Sequence, residues 1–209
     1  MFAAQSLTLM IFVSLLGGYL LGSIPFGVIA TRLGGVGNIR DVGSGNIGAT
    51  NVLRTGRRDL ALITLVGDAG KGAAAVLLAA WLFSPTAAAL AGGAAFLGHL
   101  FPAWLRFRGG KGVAIFFGIL FAVAWPVGIG AALIWIAMAA VFRFSSLAAL
   151  TAAALVPVLF IVLHQATTAR LWLAVGMAVL IFVRHNENIR RLLKGVEPRL
   201  GGGESRPAA

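Results

Sequence analysis

Three polar segments of an otherwise apolar chain carry residue types and spacings that could do chemistry, and two of them suit an anion. The first is Gly43-Ser44-Gly45-Asn46-Ile47-Gly48-Ala49-Thr50-Asn51-Val52-Leu53-Arg54. Its close-set glycines bare backbone N–H groups, and Ser44, Asn46, Thr50, Asn51 and Arg54 add side-chain donors, a set that fits a phosphate or other oxyanion. A merely flexible loop is the plainer reading. The segment also matches G-x-G-x-x-G formally, but a dinucleotide site needs a preceding buried strand within a βαβ unit, and an apolar span precedes it here. The second segment, Arg106-Phe107-Arg108-Gly109-Gly110-Lys111-Gly112, stands immediately before an apolar helix. There Gly109, Gly110, Gly112 and Lys111 can cradle a phosphate, because free N–H groups and the positive helix end point at the same place. It is not a Walker A loop, since Gly112-Val113 follows the lysine and no Ser or Thr is present to hold magnesium. A basic turn that binds nothing is the alternative.

The third segment is His185-Asn186-Glu187-Asn188. His185 and Asn188 lie three residues apart, so they can share one helix face and orient or deprotonate a substrate hydroxyl. With His99 and His164 far away in sequence and carboxylates scarce, no metal-ligand spacing exists, and no metal or other cofactor is expected. Arg143-Phe144-Ser145-Ser146 brings a cation and hydroxyls to a helix entrance, where a serine N-cap is the simplest account. Asp68 and Lys71, at i and i+3 inside an apolar span, can pair with each other. Ionisable groups at that depth are costly and point either to function or to mutual neutralisation.

The elements that must position these residues are membrane helices. Of 209 residues only 11% are charged and 59% are apolar, and the mean hydropathy is +0.95, where a soluble domain carries roughly 25% charged residues. Met1 to Thr31, Gly72 to Leu105 and Gly112 to Phe142 contain no Asp, Glu, Lys or Arg. At about 20 residues per crossing, seven spans leave room for short loops and no soluble domain. The expected fold is therefore all-α and polytopic, a single membrane domain over residues 1–200 with a disordered tail at 201–209. Expected spans are about Leu7–Ala30, Leu60–Phe83, Thr86–Leu105, Val113–Ala124, a fifth from Trp125-Pro126 to Phe142, Ser146–Leu163, and a seventh between Arg170 and Arg184. The 31 residues from Gly112 to Phe142 would make one helix of about 46 Å, too long for a hydrocarbon core of about 30 Å, so they divide at Trp125-Pro126. The seventh is short and needs snorkelling arginines. The first span lacks a basic leading region and reads as retained rather than as a cleaved signal.

Seventeen Lys and Arg against six Asp and Glu give a net charge of +11. The cations lie in short clusters between apolar segments rather than along one soluble face, which argues against nucleic acid. With seven spans, Arg32 to Arg58, Arg106 to Lys111, Arg143, and Arg184 to Lys194 share one face, and only Arg170 lies on the other. That asymmetry predicts a cytoplasmic basic face, an outside N-terminus and a cytoplasmic C-terminus. No cysteine is present, which excludes disulfides and a thiolate nucleophile.

Taken together in order, Gly22-Ser23-Ile24-Pro25-Phe26-Gly27, the Gly43–Arg54 loop, Asp68 with Lys71-Gly72, Gly98-His99-Leu100-Phe101-Pro102, Gly109-Gly110-Lys111-Gly112-Val113, Arg143 to Leu147 and Arg184 to Leu192 resemble the bacterial acyl-phosphate-dependent glycerol-3-phosphate acyltransferases. The resemblance spans nearly the whole chain. It implies a multi-pass inner-membrane enzyme, active on the cytoplasmic face, that moves a fatty acyl group from acyl phosphate to the sn-1 hydroxyl of glycerol 3-phosphate. The products would be lysophosphatidic acid and phosphate, with no acyl-CoA, no metal, and an upstream enzyme forming the acyl phosphate. It places Ser44, Thr50, Arg54, Lys111, Ser146, His185 and Asn188 in the binding and catalytic positions, with the Gly109–Gly112 loop lining phosphate. The H-x-x-x-x-D pattern of other acyltransferases is missing, because the residue five after each histidine is Trp104, Ala169 or Arg190. A small anion transporter is the rival from another class, although transporters usually show repeats and interrupted helices near the midplane. A lipid-binding scaffold without catalysis would not need His185 with Asn188.

Overall fold

A computed structural model describes residues 2–201, with side chains from residue 7 onward; the tail at 202–209 lies outside the described residues. Among the described residues there are helices and turns and no strand. Helix α1 (Phe2–Gly22) is followed after a break by α2 (Phe26–Leu33), and the first polar loop carries a short α3 (Ala49–Leu53). The long helix α4 (Arg58–Leu82) leads to α5 (Pro85–Leu100), α6 (Val113–Val123), α7 (Trp125–Phe142), α8 (Ser145–Val162), α9 (Thr168–Arg184) and α10 (Asn186–Leu193).

Five segments are long and apolar enough to cross a bilayer: Leu7–Leu33, Arg58–Leu82, Pro85–Leu105, Trp125–Phe142 and Ser145–Val162. Helix α9 reaches that length only when counted together with α10, from which it is bent by 62°. Helix α6, with 11 residues, is only about 16 Å long and falls short of a full crossing by itself. The chain is thus an all-helical integral membrane protein in which five or six of the seven expected spans have the length to cross.

Local chemistry explains the breaks. Pro25 lacks an N–H, and the first span, expected to be continuous to Ala30, is interrupted at Ser23–Pro25. The interruption frees carbonyls that lipid could not satisfy; Trp104 Nε1 donates to Ser23 O at 2.6 Å and Lys71 Nζ to Ile24 O at 2.6 Å. Ser84 caps α5, accepting from the Ala87 N–H at 3.1 Å, with Pro85 in the first turn. The long uncharged run divides at Ala124, one residue before Trp125-Pro126. At α8 the expected serine cap is absent: Phe144 occupies the cap position without a side-chain bond. Ser145 and Ser146 lie in the first turn, and Ser146 is used elsewhere.

Small residues let the helices approach closely. Gly18 and Gly22 of α1 lie against the backbone of Ala91 and Ala95 in α5. The main core gathers Val76, Phe96, Leu100, Ile115, Phe116, Ile119, Leu150, Phe160, Met177 and Ile181 from α4, α5, α6, α8 and α9. A second cluster, Val28, Ile39, Ile47, Val52 and Leu60 with Leu105 against it, fastens the first polar loop to α2, α4 and the segment after α5.

Candidate functional site

The first loop is organised by one buried side chain. Asn51 Oδ1 accepts from the backbone N–H and the hydroxyl of Ser44 at 3.0 and 3.3 Å. Its amide nitrogen lies within hydrogen-bonding distance of the carbonyls of Ile39, Val42 and Asn46 at 3.2, 2.9 and 2.8 Å. Two amide hydrogens shared among three carbonyls leave nothing for a ligand, so Asn51, expected among the phosphate donors, builds the loop instead. Asn46 contributes its carbonyl to that frame. Thr50 and Arg54 are exposed, and no hydrogen bond involves either side chain among the described residues. Arg54 lies across Gly43 and is near enough to Lys111 for its charge to act there.

The second loop folds back on the end of α5. The N–H groups of Gly109 and Gly110 donate to Leu100 O and His99 O at 3.0 and 3.1 Å, so these two amides, expected to face a phosphate, are spent on the chain itself. Their carbonyls accept from Arg184, Gly110 O from Nε at 3.1 Å and Gly109 O from Nη2 at 3.0 Å. The same guanidinium stacks over the Phe101 ring at 5.6 Å. Arg184, expected to snorkel toward water, is a clamp on the glycine loop. Gly112, left-handed at φ 86°, turns the chain into α6, whose first-turn N–H groups lie beside Lys111. Arg40 donates to Arg108 O and so ties the first loop to the second.

The third segment closes the site. His185 sits at the bend, as the residue between α9 and α10, and both it and Asn188 are buried. Its Nδ1 bonds to Ile181 O at 2.8 Å, which leaves Nε2 as the nitrogen open to a substrate. Burial, reinforced by the Lys111 and Arg184 charges against the opposing pull of the Ile181 carbonyl, lowers the His185 pKa to about 4. The imidazole is therefore neutral at physiological pH. Lys111 Nζ donates to Asn188 Oδ1 at 2.5 Å, and this one contact joins the glycine loop to the histidine segment. Burial first, then repulsion from Arg191, lowers the Lys111 pKa to about 8.

One member of the cluster has no counterpart in the sequence reading. Glu197, in the chain after α10, accepts from Ser146 Oγ and Asn188 Nδ2, both at 2.6 Å on Oε1, and from Arg191 Nε at 2.7 Å on Oε2. Burial alone would raise its pKa, but these three bonds outweigh that and hold the carboxyl below its ordinary range. Arg143 anchors the same segment by exchanging bonds with the Leu200 backbone at 2.6 and 3.0 Å. The structure thus brings Lys111, Asn188, Ser146, His185 and Arg54 to one end of the helices, with Ser44 in the adjoining loop. The arrangement offers cations and a helix N-terminus for phosphate, and a neutral imidazole for a hydroxyl.

Comparison with known proteins follows the same outline. The family model described as glycerol-3-phosphate acyltransferase matches residues 12–195. A glycerol-3-phosphate acyltransferase of Caulobacter vibrioides (strain NA1000 / CB15N) is 64% identical over 191 residues, which are 90% of this chain and 87% of that protein. One from Cereibacter sphaeroides (strain ATCC 17025 / ATH 2.4.3) is 60% identical over 184 residues, 88% of this chain and 87% of its own. The fold is similar to crystal structures of PlsY, an integral membrane glycerol 3-phosphate acyltransferase. Its glycerol 3-phosphate form gives a TM-score of 0.86 at 37% identity, covering 91% of this chain and 96% of that one. Its lysophosphatidic acid form gives 0.84 at 36% identity, covering 91% and 95%.

Proposed function

The chain belongs to the glycerol-3-phosphate acyltransferase family, and from that premise we propose how its site performs the transfer. The protein is an acyltransferase that acylates glycerol 3-phosphate to lysophosphatidic acid. The donor we assign is acyl phosphate, and its acyl group goes to the sn-1 hydroxyl. Acyl phosphate is a mixed anhydride with phosphate as a ready leaving group, so no covalent enzyme intermediate is required. The acceptor oxygen bonds to the acyl carbon, the bond from that carbon to the phosphate oxygen breaks, and inorganic phosphate departs. Lys111, Arg54 and the α6 N-terminus hold phosphate charge; Ser44 and Thr50 add hydroxyls from the first loop. His185 Nε2 accepts from the attacking hydroxyl and aims it.

A histidine with a pKa of about 4 is a weak store for the hydroxyl proton. A phosphate with a second pKa near 6 is the better one. The proton accordingly passes to substrate phosphate, while His185 and Asn188 orient the hydroxyl and Ser146 with Glu197 holds Asn188. The observation that carries this reading is the 2.5 Å contact between Lys111 Nζ and Asn188 Oδ1, which sets phosphate charge and hydroxyl orientation side by side. The test is direct. Purified protein given glycerol 3-phosphate should make lysophosphatidic acid with acyl phosphate and none with acyl-CoA; turnover with acyl-CoA would overturn the donor assignment. With family membership fixed, the transport reading is set aside.

The arrangement in the bilayer follows from charge. We place the N-terminus outside, the C-terminus and the site on the cytoplasmic face of the inner membrane, and α6 with α7 as two separate segments, giving seven crossings. The first and second loops lie together at one end, joined by Arg40 and by Leu105 against the cluster that contains Ile39 and Ile47, which supports a shared side. Cysteines near Arg57 and Arg108 and a tag at Ala209 should label from the cytoplasm, and a cysteine near Thr167 from the periplasm. Labelling of the Arg57 and Arg108 positions from opposite sides would end the seven-span arrangement. The donor must come from an acyl-phosphate-forming enzyme working at the same face.

A further inference from the structure

Beneath the glycine loop lies a buried set of ionisable groups that the transfer itself does not use. Asp68, Lys71 and His99 are 2%, 5% and 4% exposed. Asp68 Oδ1 is 2.7 Å from Lys71 Nζ and 3.5 Å from His99 Nδ1. Lys71 also reaches Ile24 O at the break between α1 and α2. Charges at such depth are retained where they are paired and where they hold something in place.

What they hold is visible on the far side of the imidazole. With Nδ1 facing Asp68, Nε2 faces Gly110, so closely that a Cβ there would lie 2.3 Å from it. The His99 backbone carbonyl accepts the Gly110 N–H at 3.1 Å, and Arg184 holds the Gly109 and Gly110 carbonyls. The peptide planes of Gly109 and Gly110 are therefore fixed by hydrogen bonds on both sides and propped by the ring from within. Next to Lys71, Gly72 packs on Ile115 at the start of α6, so the same part of α4 also seats the helix that follows the loop.

We propose that Asp68, Lys71 and His99 are positioning residues that set the height and orientation of the Gly109–Gly112 loop, and with it of Lys111 and the α6 N-terminus, toward the phosphate of a substrate. The carboxylate orients the ring, the lysine neutralises the carboxylate and anchors it to the α1–α2 break, and the ring edge supports Gly110. This rests on the assignment of the loop to substrate phosphate given above.

The test is a double-mutant cycle on enzyme reconstituted in vesicles, with both substrates varied. His99→Ala should raise KM for at least one phosphate-bearing substrate about tenfold, with kcat within about threefold. Gly110→Ala should lose roughly tenfold in kcat/KM by driving its methyl into the ring, and His99→Ala should recover most of that loss in the double variant. Losses that simply multiply, or a fall in kcat with unchanged KM, would overturn the proposal. If His99→Ala does not accumulate, Asp68→Asn with Lys71→Met keeps the ring but removes its orienting charges. The same rise in KM is expected there, and an unchanged KM counts against the role. Lys111→Ala separates the two layers of argument. A raised KM in Lys111→Ala beside a multiplicative cycle dismisses the positioning role alone, whereas an unchanged KM in Lys111→Ala removes the loop from substrate binding and the proposal with it.

Discussion

Lys111→Ala is expected to lower kcat/KM by ten- to over a hundredfold, the effect of deleting a charge-assisted bond of about 1.5 to 3 kcal/mol. The side chain has two tasks in the site, cancelling phosphate charge and holding Asn188 Oδ1 at 2.5 Å, so the loss should fall on kcat as well as KM. Its pKa of about 8 adds a signature. The ammonium is charged below that value and neutral above it, so activity should decline as pH rises through about 8. Lys111→Arg should move that decline upward even if it lowers the rate. Gly110→Val should harm as much as Lys111→Ala, because its side chain meets His99. Normal turnover in both Lys111→Ala and Gly110→Val, at normal expression, would take this loop out of the site.

The second large effect is at the bend. His185→Gln should reduce kcat by about 10² while leaving substrate binding nearly intact, since the imidazole is neutral and contributes orientation rather than charge. The pH profile decides the role. If substrate phosphate takes the proton, an acidic limb near pH 6 belongs to the phosphate and survives in His185→Gln. Asn188→Ala should also impair the reaction by letting the hydroxyl drift and by freeing Lys111. Loss of the acidic limb in His185→Gln, with binding retained, would make the histidine the base after all.

Much of this was legible in the sequence because its signals are strong ones. The uncharged runs announce the membrane helices, Pro25, Pro85 and Pro126 lie next to breaks, and the polar loops stand out against apolar surroundings. What the sequence cannot convey is where a given donor is used. Gly109, Gly110 and Asn51 read as ligand donors by type, yet their N–H groups are taken by carbonyls of the chain. Those partners come from the end of α5 and from within the first loop, and only the packed fold reveals them. Arg184 shows the converse. Its expected retreat to water ignored the two carbonyls and the aromatic ring that the glycine loop offers it. Ser146 stands at a helix entrance, where a cap is the simplest account of the residues and the resemblance gives a substrate position, whereas its hydroxyl bonds to Glu197, 51 residues away. Glu197 left no trace as a site residue, being a single carboxylate among cations after the third polar segment.

The path of the chain after α10 has a consequence for biosynthesis. Helices α1 to α10 and every residue assigned to substrate precede Glu197, yet Ser146, Asn188 and Arg191 take their arrangement from that carboxylate, with Leu200 fastened to Arg143 behind it. A chain cut back to Gly195 would keep α1 to α10 and would still lack the brace of its centre. Catalytic competence therefore waits on residues made after those helices, which fold back against segments laid down long before.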